Sequence, residues 1–79
     1  MRARVLLFAS WAEAFGASEL ELELPEGTSV TDLLSHLRTR LPAVELPRAF
    51  IALNQEYAAP DAVVTSGDEI AVIPPVAGG

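Results

Sequence analysis

Residues 18–24 read Ser-Glu-Leu-Glu-Leu-Glu-Leu, and this unbroken alternation constrains the fold more than anything else in the chain. Leu20, Leu22 and Leu24 fall on one face, Glu19, Glu21 and Glu23 on the other. A period of two belongs to a β-strand with one dry and one wet face. The chain must therefore build a sheet, and something must cover the sheet's apolar side. One segment offers that cover. Ser29 is placed to cap a helix, with Asp32 three residues on beside its N-terminus. Val30, Leu33, Leu34, Leu37 and Leu41 then form one apolar stripe, and Pro42 stops the helix.

The other strands are shorter. Arg4 to Ala9 reads as a first strand, and Ser10 as the cap of a short helix over Trp11 to Phe15 that ends at Gly16. Pro25-Glu26-Gly27 is a turn. Phe50 to Leu53 is a strand, and Asn54-Gln55 turns it into Glu56-Tyr57-Ala58. Ser66-Gly67-Asp68 turns into a last strand, Glu69 to Ile73, ended by Pro74 and Pro75. This order predicts an α+β domain with a five-stranded mixed sheet, one main helix and a short helix after strand 1. The β-grasp, or ubiquitin-like, fold is its economical form, with an unrelated α+β arrangement the alternative. Residues 1–75 make that single domain, and 76–79 a flexible tail.

One helix covers one face, so the other face faces water or a partner. Glu69 marks the wet face of the last strand, which puts Ile73 on it and Ile70 and Val72 beneath. The same parity turns Arg4, Leu6 and Phe8 outward and Val5 and Leu7 inward. If these two strands are neighbours, Leu6, Phe8 and Ile73 make an apolar patch of the kind that marks a partner surface. The competing arrangement has the short helix folded back over them.

Composition removes several functions. The chain has 79 residues, a formal charge of −6 and no cysteine. Thiolate metal sites, disulfides and Cys nucleophiles are excluded, and clustered cations for nucleic acid are lacking. The apolar run Val5 to Ala9 is far short of the ~20 residues of a membrane span, so a cytoplasmic protein is expected. His36 has no second ligand near it in sequence and reads as a surface residue of the main helix. Glu19, Glu21 and Glu23 read as the wet face of a strand, or as a docking surface for a basic partner. Trp11, Phe15 and Tyr57 read as core or rim aromatics.

The sequence closes on Pro74-Pro75-Val76-Ala77-Gly78-Gly79. Two prolines stiffen its root, and four uncharged residues without bulk follow. Extended, Pro75 to Gly79 would reach at most about 17 Å. Glycines enter clefts that larger residues block, so the tail suits delivery of a terminal carboxylate into another protein's site. A carboxylate must be activated before it reacts. The chain has neither a P-loop nor a lysine to hold ATP, so the activating enzyme is separate.

At these residues the chain resembles the MoaD family, the small subunits of molybdopterin synthases. The resemblance rests on Val5-Leu6-Leu7-Phe8-Ala9, Glu13, Gly16, Leu24 to Val30 and Leu53-Asn54-Gln55, and above all on Gly67 to Gly79. It departs at Ala12, where the family often has Arg, and at Ala77, commonly Ser or Thr. The resemblance implies a β-grasp fold and a sulfur carrier for molybdenum cofactor biosynthesis. A MoeB-like enzyme would spend ATP to adenylate the Gly79 carboxylate, and a sulfur donor protein would convert it to a thiocarboxylate. The carrier would dock on a MoaE-like large subunit in a heterotetramer through Phe8, Ile73, Pro74, Pro75, Val76, Ala77 and Gly78. Sulfur would pass to cyclic pyranopterin monophosphate. Catalytic side chains would belong to the large subunit, and this chain would bind no metal or cofactor of its own. The same tail also serves carriers for thiazole synthesis or tRNA thiolation, and protein modifiers. A binding module without tail chemistry is a further alternative.

Overall fold

The computed structural model describes residues 1–75. Strand β1 (Arg2–Leu7) leads into helix α1 (Ala9–Phe15), then β2 (Glu19–Glu23), α2 (Val30–Thr39), β3 (Phe50–Leu53), β4 (Glu56–Tyr57) and β5 (Glu69–Ile73). The sheet runs β2-β1-β5-β3-β4. Its two central strands, β1 and β5, are parallel, and every other pair is antiparallel. This is the mixed five-stranded β-grasp sheet expected from the element order.

The alternating segment pairs with β1 from Arg2↔Glu23 to Leu6↔Glu19. Its leucines sink toward the core, with Leu22 and Leu24 buried and Leu20 half-buried, while its glutamates stay exposed. Arg2 pairs with Glu21 and Glu23, and Arg4 with Glu19, across the wet face. Helix α2 starts in a capping box. The Ser29 hydroxyl accepts from the Asp32 N–H at 3.1 Å, and the Asp32 carboxylate accepts from the Ser29 N–H. Val30, Leu33 and Leu37 are buried, with Leu34 and Leu41 half-buried beside them. Val30, Leu33 and Leu37 form one core with Val5, Leu7, Leu22, Ile51, Ile70 and Val72 from the sheet, with Leu34 packed against it and Leu41 beyond the end of α2.

The first two elements differ from expectation. β1 begins and ends two residues earlier, because its N-terminus is drawn into pairing with Glu23. Ser10 does not cap α1. The helix starts on the Phe8 carbonyl, which accepts from the Trp11 and Ala12 N–H groups, with no side-chain cap. Ala9 makes the turn in a left-handed conformation, φ 51°. The turn takes the chain off the end of β1 at once and brings Trp11 of α1 into the core. Trp11 is fully buried, and its indole N–H donates to the Pro47 carbonyl at 3.0 Å. Gly16 ends the helix as expected, left-handed at φ 67° and donating to the Ala12 and Glu13 carbonyls.

The segment between α2 and β3 is fastened from the helix. Arg38 donates to the Leu46 carbonyl at 2.8 Å and to that of Pro47 at 3.4 Å, its guanidinium 5.2 Å from the Trp11 ring centroid. Three elements thus meet over one buried indole.

Candidate functional site

The uncovered face of the sheet can be laid out from its registers. Residues opposite each other in a ladder point to the same side. Leu6 pairs with Ala71, Ala71 with Ala52, and Ala52 with Tyr57. One apolar row therefore crosses four strands. The next row holds Ile73 opposite Phe50, and Phe8, whose backbone is still extended, continues the outward parity of Leu6. One step the other way the face turns polar, with Arg4 opposite Glu69. The face thus grades from charged to apolar in the direction in which β5 runs.

That gradient puts three large side chains in water. Phe8 is 47% exposed, Phe50 48% and Tyr57 74%. Phe50 and Tyr57 meet edge to face, with ring centroids 6.1 Å apart. A tyrosine this exposed is neither core nor rim, contrary to the expectation for Tyr57. Trp11 is core and Phe15 half-buried, the two rings stacked at 6.5 Å. Because Trp11 points into the α2 side of the sheet, α1 does not fold back over Leu6 and Phe8.

The residues singled out from sequence fall as follows. Phe8 is exposed and Ile73 half-buried on the uncovered face. Pro74 is buried and Pro75 exposed. Val76, Ala77, Gly78 and Gly79 lie outside the described residues. Phe50, Ala52 and Tyr57 were not foreseen as part of this surface. Phe50 and Ala52 do alternate with Ile51 and Leu53, but only the pairing with β5 says which pair faces out.

The polar end of the face is fixed by hydrogen bonds. Asn54 donates its amide to Asp68 at 2.9 Å, and Thr65 donates its backbone N–H to the same carboxylate at 2.8 Å and its hydroxyl at 3.0 Å. Chiefly through the Thr65 N–H and then Asn54, these donors hold the Asp68 carboxyl below its ordinary value. Through these bonds Asp68 is a joint in the scaffold. His36 is exposed on α2, and among the described residues no group of three His, Cys, Asp or Glu side chains gathers where it could hold a metal ion. Chemically the described residues offer a partly exposed apolar sheet face whose last strand, β5, runs into Pro74 and Pro75.

Comparison with known proteins places this surface in context. Residues 5–79 match the ThiS family. The chain is 40% identical to a molybdopterin synthase sulfur carrier subunit of Arabidopsis thaliana, over 96% of its own length and 81% of that protein's. It is 39% identical to one from Chlamydomonas reinhardtii, with both chains fully covered. Among solved structures it is similar to SAMP1, the small archaeal modifier protein 1 of Haloferax volcanii, with a TM-score of 0.80, 28% identity and complete coverage of both chains.

Proposed function

The chain belongs to the ThiS family, and on that footing we propose that it is the sulfur carrier subunit of a molybdopterin synthase. The similarity to proteins of that name, over all or nearly all of this chain, supports the reading. The observation that carries it structurally is the run of β5 through the apolar rows into Pro74 and Pro75. A protein docked on Phe8, Ile73 and Phe50 lies at the root of residues 76–79.

The chemistry is that of an acyl group. ATP converts the Gly79 carboxylate to an acyl-adenylate on a separate MoeB-like enzyme, releasing pyrophosphate. A persulfide on a sulfur donor protein displaces AMP, and reduction of the resulting acyl disulfide by a thiol frees the thiocarboxylate. Its sulfur is a softer and stronger nucleophile than the carboxylate oxygen. On a MoaE-like large subunit that sulfur attacks a side-chain carbon of cyclic pyranopterin monophosphate as a carbon–oxygen bond there breaks, and the oxygen departs with the phosphate or as water. Hydrolysis of the resulting thioester leaves the sulfur on the pterin and returns Gly79 to the carboxylate. The domain itself contributes the docking face and the rigid root of the tail.

The likeness to SAMP1 favours a second reading, a protein modifier joined to target amines through the same glycine. Mass spectrometry of the protein isolated from its own cells separates the two. A gain equal to the difference between sulfur and oxygen marks the carrier. An isopeptide-linked target without that species overturns the carrier reading.

A further inference from the structure

Five arginines serve a chain of net charge −6, and four of them are already occupied or remote from the uncovered face. Arg2 and Arg4 pair with Glu19, Glu21 and Glu23 at its polar end. Arg38 is tied to the Leu46 and Pro47 carbonyls and to Trp11. Arg40 is the C-cap of α2, in the layer that covers the opposite face. Arg48 alone stands beside the apolar rows, where the uncovered face meets the groove between α2 and β3. It is exposed, two residues before Phe50, with its guanidinium 5.9 Å from the Phe50 ring centroid. Among the described residues no carboxylate lies within ion-pair distance of it.

The aromatic ring holds the guanidinium by cation–π attraction without neutralising it. Its charge and its fork of donors remain available, pre-oriented beside the end of the sheet where β5 gives way to Pro74 and Pro75. Across the face, the β2 edge carries more carboxylates than arginines. The uncovered face is therefore apolar in the middle, with carboxylates in excess along the β2 edge and the Arg48 cation at the start of β3. An apolar patch gives affinity but little orientation; charges of opposite sign on its borders set the register of docking.

We infer that Arg48 is an orientation-determining contact, pairing with a carboxylate that the large subunit presents beside its own apolar docking surface. This rests on the proposed docking of the large subunit on the uncovered face. The pair fixes which way round the carrier lands, so that Pro75 points toward the partner's site. A planar guanidinium suits this role because it binds a carboxylate bidentately while lying flat on a ring.

The test is the association rate of the full chain with its cognate large subunit at low and at high salt. Arg48→Glu is expected to slow association about tenfold at low salt, with the difference largely gone near 0.5 M salt, where screening shortens the range of charge. Arg40→Glu changes the net charge equally on the other side of the molecule and is expected to leave the rate within about twofold. An unchanged or faster rate for Arg48→Glu overturns the inference, as does equal slowing by Arg40→Glu. Ile73→Lys runs alongside. If it weakens binding while Arg48→Glu does not, the docking face stands and the role of Arg48 falls. If neither changes binding, the face is not the docking site and both readings fall.

Discussion

The Asn54 amide donates to the Asp68 carboxylate at 2.9 Å while the Asn54 carbonyl oxygen accepts from the Glu69 N–H at 3.0 Å. One side chain thereby joins the β3–β4 hairpin to the start of β5. Asn54 also stands in the left-handed region at φ 53°, followed by Gln55 at φ 71°, the pair of positive angles a tight two-residue hairpin requires. Asn is the non-glycine residue that tolerates this conformation best. Asn54→Ala is expected to cost about 1–3 kcal/mol through the lost hydrogen bonds and the added strain. Asn54→Gly should relieve the strain and recover part of the loss. Urea melts of the two variants measure both.

Gln55 has no such excuse for its φ of 71°. Gln55→Gly produces Asn-Gly, the preferred pair for this turn, and should stabilise the domain by about 0.5–1 kcal/mol after the entropy of the unfolded glycine is counted. Thermal denaturation checks this, and a lower midpoint would show that the Gln55 side chain does something in the hairpin beyond filling it.

Asp68 gives the fold a defined acid sensitivity. Its carboxyl is held below the 3.8 of an unperturbed aspartate by the Thr65 N–H and Asn54. A carboxyl with a lower value in the folded state stabilises that state fully above its unfolded value. The contribution fades as pH falls through the folded value, where both states are protonated. In Asp68→Asn this contribution is absent at every pH. The variant is therefore expected to be less stable than the parent at pH 7, with the gap closing below about pH 4. Denaturation midpoints across pH 2.5–7 test the sign.

Much of this was legible because local pattern and tertiary need agree. Leu20, Leu22 and Leu24 alternate over a real core, and Ser29 with Asp32 announces the capping box that forms. Ile70 and Val72 point inward on the parity that Glu69 implied. The failures share one cause. Ser10 lost its cap to the burial of Trp11, and Phe50 was set on the uncovered face by pairing with β5, far away in sequence, with Tyr57 following from the register of the β3–β4 hairpin. Propensity is local, whereas register is settled by partners. Val76 to Gly79 were read from chemistry alone, through the resemblance and not through any packing.

Arg38 tests how far the core depends on its polar fastening. Arg38→Met keeps an apolar stem over Trp11 but removes the donors to the Leu46 and Pro47 carbonyls. A loss of about 1–3 kcal/mol is expected, since charge-assisted bonds to the backbone are replaced by water or by nothing. Trp11 fluorescence should shift along with stability, because the segment over the indole loosens. A destabilised variant with an unchanged indole spectrum would place the effect elsewhere.

Adjacent residues of β5 offer the sharpest contrast. Val72 is fully buried under α2, whereas Ile73 is half-buried on the uncovered face opposite Phe50. A lysine at 72 forces an unpaired charge into the core, a cost comparable to the whole stability of a domain this size, so Val72→Lys should not fold. Ile73→Lys leaves its ammonium in water and should melt near the parent. In the complex the same lysine replaces an apolar side chain that otherwise contributes about 1.5–3 kcal/mol on burial, so affinity for the large subunit should fall tenfold or more. Circular dichroism and a binding titration on the two variants read fold and docking separately. A folded Ile73→Lys that binds as tightly as the parent would move the docking surface off this face.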